Sequence, residues 1–126
     1  MDISAHLPSA YIKVKHLLKE NTMEEIVSYI AKKQLIISEY YEDVNEDQYE
    51  ELYKMIVTFC KRISNKHSCL ISAIIYANIM AQLGKSVKIH IGFVKLCGRR
   101  YAHAWVNTID LFPLELDCIV KTFTVN

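Results

Sequence analysis

The sequence predicts an α+β fold in which a helical N-terminal half precedes a small antiparallel sheet. The first half has apolar residues at helical spacing, and the second half has three runs with strand-like alternation. Between them, a nearly continuous apolar stretch from Cys69 to Leu83 is typical of a helix buried on all sides. We therefore expect a single domain over residues 1–126, mainly helical in 1–65, with the buried helix and the sheet in 66–126.

Composition excludes several classes of protein. The chain of 126 residues is 52% hydrophobic, which suits one modest core and argues against disorder. Its net charge of +1 gives no indication of the strongly basic surface that is typical of nucleic-acid-binding proteins. The longest apolar run contains three polar residues and falls short of the roughly 20 residues that a membrane span needs, and the N-terminus does not resemble a signal peptide. The four cysteines include no C-x-x-C pair, so we expect reduced thiols in a cytoplasmic protein.

Three helices are expected in the first half. Residues 11–20 fit a short helix or an irregular arm, because polar residues break the apolar stripe. Thr22 and Glu25 have the spacing of a capping box, after which a helix should run to about Ser38. Asn45 with Gln48 can cap the next helix, whose apolar residues recur at helical spacing up to residue 63.

An acidic segment, Glu39 to Glu51, connects the second and third of these helices. We interpret it as a solvated loop and helix start, which is the usual behaviour of a charge run. The alternative is a docking patch for a basic partner.

The second half is expected to form one helix and three strands. The buried helix should begin near Ser68 and end at Gly84. This glycine is expected to adopt a left-handed backbone conformation. The strands should be Val87–Val94, Tyr101–Ile109 and Leu114–Phe123, with turns at 97–100 and 110–113. Such short connections favour a meander, in which each strand pairs with the next.

A cysteine, a histidine and an acid occupy positions that suit a thiol nucleophile. Cys69 falls in the first turn of the buried helix, where the dipole and unpaired amides favour a thiolate. His103, on the second strand, would take the thiol proton, although a buried structural histidine is the plainer alternative. In a meander His103 faces Asp117 across a hairpin, so Asp117 is the first candidate for the orienting acid. Glu115 has the same strand parity, and Asp110 is expected in the turn.

Other side chains are candidates for supporting roles. His67 and His90 are rival bases. His67 is poorly placed, whereas His90 lies on the neighbouring strand, can line the site and is the second choice. Tyr101 and Trp105 share a strand face with His103 and are expected, with His90, to contact substrate. A zinc site was considered and is disfavoured, because its possible ligands have no close-spaced pair; they are His90, Cys97, His103 and Cys118. No metal or other cofactor is expected.

Several short motifs of the second half occur in a familiar order: Cys69-Leu70, a buried helix ending at Gly84, Ile91-Gly92-Phe93-Val94, and Ala102-His103-Ala104-Trp105-Val106. Together they resemble the lasso-peptide biosynthesis B2 proteins, which are transglutaminase-like cysteine peptidases. The resemblance covers residues 69–117, whereas the first half matches only in being short and mostly helical. It implies a transglutaminase-like (papain-like) core, with Cys69 as nucleophile and His103 as base.

The resemblance also implies an activity and partners. Such proteins cleave the leader from a ribosomally made precursor peptide, and work with a small leader-binding partner, the B1 protein. A separate ATP-dependent cyclase then uses the freed amine. This chain departs from the family pattern at Ser72 and Asn107, and Asp117 falls later than the family's aspartate. The alternatives are a catalytically inactive transglutaminase-like protein-binding module and a true transglutaminase that acts on glutamine.

Overall fold

Helices come first and strands second in the computed structural model, which describes residues 3–36, 45–64, 66–106 and 115–126. Its helices are α1 (Leu7–Glu20), α2 (Met23–Lys32), α3 (Tyr49–Ile63) and α4 (Ser68–Gln82). Its strands are β1 (Val87–Leu96), β2 (Arg99–Val106) and β3 (Glu115–Val125), which form one antiparallel sheet. The predicted α+β class and the small antiparallel sheet are therefore confirmed, whereas the transglutaminase-like core stays a prediction.

The capping box at the start of α2 is confirmed. The Thr22 hydroxyl accepts from the Glu25 backbone N–H at 3.2 Å, and the Glu25 carboxylate accepts from the Thr22 N–H at 2.9 Å. The end of this helix was predicted wrongly, because it stops at Lys32 rather than near Ser38, which lies outside the described residues.

A buried side chain explains why α2 ends early. Asn78, fully buried on α4, donates to the carbonyls of Ile30 and Lys33 at 2.8 and 2.6 Å. Its own carbonyl accepts from the Leu35 N–H at 3.1 Å. One amide therefore satisfies backbone groups that another helical turn would have paired, and it anchors the chain after α2 to the central helix.

The central helix is α4, which contacts α1, α2, α3 and all three strands. Its side chains from Ile71 to Met80 are all buried, as the sequence predicted. Gly84 follows with a φ of +76°, the expected left-handed conformation. The residue before the helix, His67, also has a positive φ, of +60°, which is uncommon for a residue with a side chain.

The strand order is β2-β1-β3, so the predicted meander is wrong. Strands β1 and β2 form a hairpin whose two turn residues, Cys97 and Gly98, have φ values of +52° and +77°. The predicted turn at 97–100 is therefore too long, because Arg99 and Arg100 already belong to β2. Strand β3 returns along the opposite edge of β1. Alternation in a sequence identifies the faces of a strand but not its neighbour, which is why this order was missed.

Gly92 lies at the centre of the sheet, where β3 approaches β1 most closely. It pairs with His103 on one side and with Ile119 on the other. The β1–β3 ladder is irregular on both sides of this point, between Ile91 and Gly92 and between Phe93 and Val94. A Cβ at position 92 would collide with the carbonyl oxygen of Cys118, so the glycine permits this strand pairing.

One face of the sheet packs against the helices. Val87, Ile89, Val106 and Val125 belong to the same hydrophobic core as the buried face of α4. Within the described ranges, no helix has the length and apolar character needed to cross a membrane.

Candidate functional site

Cys69 is the second residue of α4 and is a free, half-buried cysteine. The side chain of the preceding N-cap residue, His67, makes no capping bond to the first-turn amides. Burial, and then the charge of the Cys69 thiolate, raise the pKa of Tyr53 on α3. The structure thus confirms that a cysteine lies at the start of a buried helix. It does not test the catalytic role predicted for this cysteine.

His103 lies on β2 and is also half-buried. Burial lowers the pKa of its imidazole, and the charge of Lys61 lowers it further. Lys61 belongs to the last turn of α3, and a short connection leads from that turn to the start of α4.

An aromatic row extends from His103 across the sheet. The His103 and Trp105 rings stack with centroids 5.9 Å apart and planes inclined by 14°. Trp105 in turn contacts His90, at 5.6 Å between centroids, and His90 Nδ1 lies 2.8 Å from the hydroxyl of Thr122. The His103 ring therefore packs against Trp105 at one end of this row.

This row projects from the sheet face that is turned away from the main core. Side chains alternate along β2, and Val106 packs into that core, so His103 and Trp105 occupy the opposite face. No hydrogen bond joins Cys69 to His103 in the part of the chain that the structure describes. Strand β2 is, however, an edge strand in direct contact with α4. The catalytic pairing of these two residues stays a prediction.

The proposed acid, Asp117, has other partners. Its carboxylate lies 2.7 Å from Arg100 Nε and 4.0 Å from Lys95 Nζ. The argument that placed it across a hairpin from His103 is wrong, because β1 lies between β2 and β3. Its catalytic role, like that of Glu115 at the start of β3, stays a prediction. Asp110 lies outside the described residues, as does Asn107.

The predicted substrate-contacting residues differ in accessibility. Trp105 is only 6% exposed, whereas Tyr101 is 46% exposed and His90 is half-buried. Burial, followed by the charge of Lys88, lowers the pKa of His90. Tyr101 therefore has the larger accessible surface, and the contact of these three residues with substrate stays a prediction.

The cysteines of the disfavoured zinc site lie at or near the β1–β2 hairpin. Cys97 lies in the hairpin turn, and Cys118 accepts a hydrogen bond from Arg100 Nη2 at 3.6 Å. The described residues contain no group of three or more histidine, cysteine or acidic side chains that could hold a metal ion.

A cavity of about 520 Å³ lies beside the start of α4 and was not predicted. It is lined by Tyr11, Lys15, Leu18, Lys19, Ser64, Lys66, His67, Leu70 and Ile71. The available signal in the sequence was the pair Lys15 and Lys19, one helical turn apart. Periodicity could not show that the α3–α4 connection completes the cavity.

Comparisons with known proteins identify no relative. No protein-family model matches the chain, and no curated protein or solved structure matches it either. The site is therefore defined by its own geometry: a half-buried cysteine at the start of a central helix, and a histidine on the adjacent edge strand.

Proposed function

We propose that this protein is a cysteine peptidase that removes the leader from a ribosomally made lasso-peptide precursor. The observation that carries the proposal is the free, half-buried Cys69 in the first turn of α4, with the strand of His103 packed against that helix. The motif resemblance over residues 69–117 supplies the substrate class.

Each residue has a defined part in the proposed reaction. His103 takes the proton of the Cys69 thiol, and the thiolate attacks the carbonyl carbon of the scissile peptide bond. Backbone amides in the first turn of α4 stabilise the negative oxygen of the tetrahedral intermediate. His103 returns the proton to the leaving amine, and water then attacks the thioester with His103 again acting as the base.

The electrostatics around His103 suit a general base. Burial and the charge of Lys61 lower the pKa of its imidazole, which keeps the ring neutral near pH 7. A neutral ring can accept the thiol proton, whereas an imidazolium cannot. The acid that orients this ring is one of Asp117, Glu115 and Asp110.

The proposal includes a partner that completes the site. Catalytic hydrogen bonds are often long before substrate binds and tighten in the complex. We propose that the leader-binding B1 protein delivers the precursor in the cytoplasm and that the Cys69–His103 pair forms only in the complex with the bound peptide. The amine released by cleavage is the group that the ATP-dependent cyclase consumes.

A second candidate is a catalytically inactive transglutaminase-like binding module. It is favoured by one observation, namely that Cys69 and His103 share no hydrogen bond in the described ranges, although both side chains are described there. A fold of this kind does not by itself specify catalysis.

Mass spectrometry of the precursor peptide, incubated with the protein and the B1 partner, separates these candidates. The peptidase predicts a single cut at the leader–core junction that Cys69→Ala abolishes and that Cys97→Ala, at an exposed thiol, leaves intact. A mass increase by joining two chains would indicate a transglutaminase instead. An uncut precursor that still binds would support the inactive module. Asp117→Asn, Glu115→Gln and Asp110→Asn then identify the acid.

A further inference from the structure

The cavity beside the start of α4 has an apolar floor. Tyr11 and Ile71 are almost fully buried beneath it, and the half-buried Leu18 and Leu70 form its walls. Leu70 follows Cys69 directly in the chain, so the cavity opens beside the first turn that carries the thiol. Its volume of about 520 Å³ is enough for one or two large apolar side chains of a ligand.

The rim of this cavity is strongly basic. Lys15 and Lys19 come from consecutive turns of α1, and Lys66 comes from the connection between α3 and α4. All three are exposed, and none forms an ion pair with another described residue. No acidic side chain is found among the residues that line the cavity, and the nearby Glu20 lines a different cleft.

Three exposed lysines, without an ion-pair partner among the described residues, surround a concave apolar surface, and this combination favours a ligand that is both acidic and apolar. Like charges one helical turn apart repel each other, and Lys15 and Lys19 have that spacing. An anion alone would neutralise the lysines but would leave the apolar walls of Leu18 and Leu70 exposed to water. A peptide with carboxylates flanking a large apolar side chain satisfies both features.

We propose that this cavity binds an acidic–apolar peptide segment of the precursor. The apolar side chain of the segment occupies the floor between α1 and α4, and its carboxylates contact Lys15, Lys19 and Lys66. The segment then leads the chain toward the first turn of α4 and Cys69. This assignment rests on the proposed function, since it names the part of the substrate that the peptidase holds.

The test measures binding and does not require catalysis. The probe is a fluorescently labelled peptide of alternating glutamate and leucine residues, titrated into the Cys69→Ala protein, with a glutamine–leucine peptide as its uncharged counterpart. The test variant is Lys15→Gln/Lys19→Gln. The matched control is Lys13→Gln/Lys32→Gln, which removes the same charge from exposed helical positions that do not line the cavity. Shifts in the methyl NMR signals of Leu18, Leu70 and Ile71 report the place of binding.

The expected result has three parts. The glutamate peptide binds more tightly than the glutamine peptide, and salt weakens the difference. The test variant loses about tenfold in affinity, or about 1.4 kcal/mol, whereas the control keeps it. The methyl signals of the cavity floor shift on binding.

Three results would overturn the proposal: equal binding of the two peptides, equal loss in both variants, or methyl shifts confined to other parts of the protein. Preferential binding of phosphatidylserine vesicles over the peptide would assign the basic rim to a lipid surface and would also overturn it. Each result is independent of cleavage. Loss of the binding site would leave the peptidase proposal intact, and loss of peptidase activity would leave the binding result intact.

Discussion

Arg100 and Asp117 join the two edge strands across the central strand of the sheet, with Nε 2.7 Å from Oδ2. The Arg100 guanidinium lies over the ring of Phe93, 4.1 Å from its centroid, so the ion pair crosses β1 directly above an aromatic side chain. The proposed triad acid is thereby neutralised by an arginine rather than by an imidazole. The pair gives the most direct test of what Asp117 does.

Asp117→Asn is expected to slow cleavage no more than Arg100→Gln, which breaks the same ion pair and also removes the contacts of Arg100 with Cys118 and Phe93. Both side chains are partly exposed, so each change should have only a small effect on the free energy of unfolding. The measurements are urea denaturation and the rate of precursor cleavage. A loss of rate in Asp117→Asn far beyond that in Arg100→Gln would contradict this expectation and identify Asp117 as the catalytic acid.

The sequence predicted local structure better than strand pairing. The Thr22–Glu25 capping box, the buried helix after Ser68 and the left-handed Gly84 all follow from short-range rules, and all are confirmed. The order β2-β1-β3 depends on which strand edge β3 meets, and no alternation of side chains contains that information. The position of Asp117 relative to His103 was inferred from the wrong order, and this is why its actual partner was missed.

The early end of α2 is a second feature that short-range sequence rules did not predict. Its apolar spacing favoured a longer helix, but Asn78, distant in sequence, bonds the backbone around Lys33 and replaces the next helical turn. A tertiary hydrogen bond therefore overrides local propensity. A buried asparagine within an otherwise apolar helix was the available signal, because such an amide needs partners.

Asn78→Ala should destabilise the protein by about 2 to 4 kcal/mol, because it leaves buried backbone groups unpaired and opens a small cavity. Its three bonds go to the carbonyls of Ile30 and Lys33 and to the Leu35 N–H. Urea denaturation monitored by circular dichroism gives the change. Asn21→Ala, which removes a single half-buried bond to Leu17, is the control and should cost less than half as much. Equal costs would show that the Asn78 contacts contribute little.

The four thiols should differ in their alkylation by iodoacetamide. Burial raises the pKa of Cys60, and its side chain is inaccessible, so it should react only when the protein unfolds. The exposed Cys97 and Cys118 provide the ordinary rates. If the proposed function is correct, Cys69 reacts faster than both at pH 6, and His103→Gln removes the excess. Mass spectrometry resolves the sites, and a Cys69 rate no higher than that of Cys97 would argue for the inactive module.

Stability should depend on pH through His103. Burial, and then Lys61, lower the pKa of its imidazole from the ordinary 6.5, so the unfolded chain takes up a proton first as the pH falls. The stability that the neutral ring contributes is complete above pH 6.5 and is lost as the pH falls through the lowered value. His103→Gln should therefore flatten the decline in melting temperature below pH 6.5. Parallel declines in wild type and His103→Gln would refute the assignment.

Gly92→Ala should separate β1 from β3, because the added Cβ would collide with the carbonyl oxygen of Cys118 and lie 3.0 Å from the Ile119 Cα. Both obstacles are backbone atoms of a paired strand, which cannot turn aside as a side chain can. We expect a loss of about 2 to 3 kcal/mol. Gly98→Ala is the matched control: its φ of +77° makes alanine strained, by about 1 kcal/mol, but no atom lies within 4 Å of the new Cβ. Hydrogen exchange at the β3 amides should rise in Gly92→Ala alone, and unchanged exchange there would mean that β3 does not approach Gly92 as closely as described.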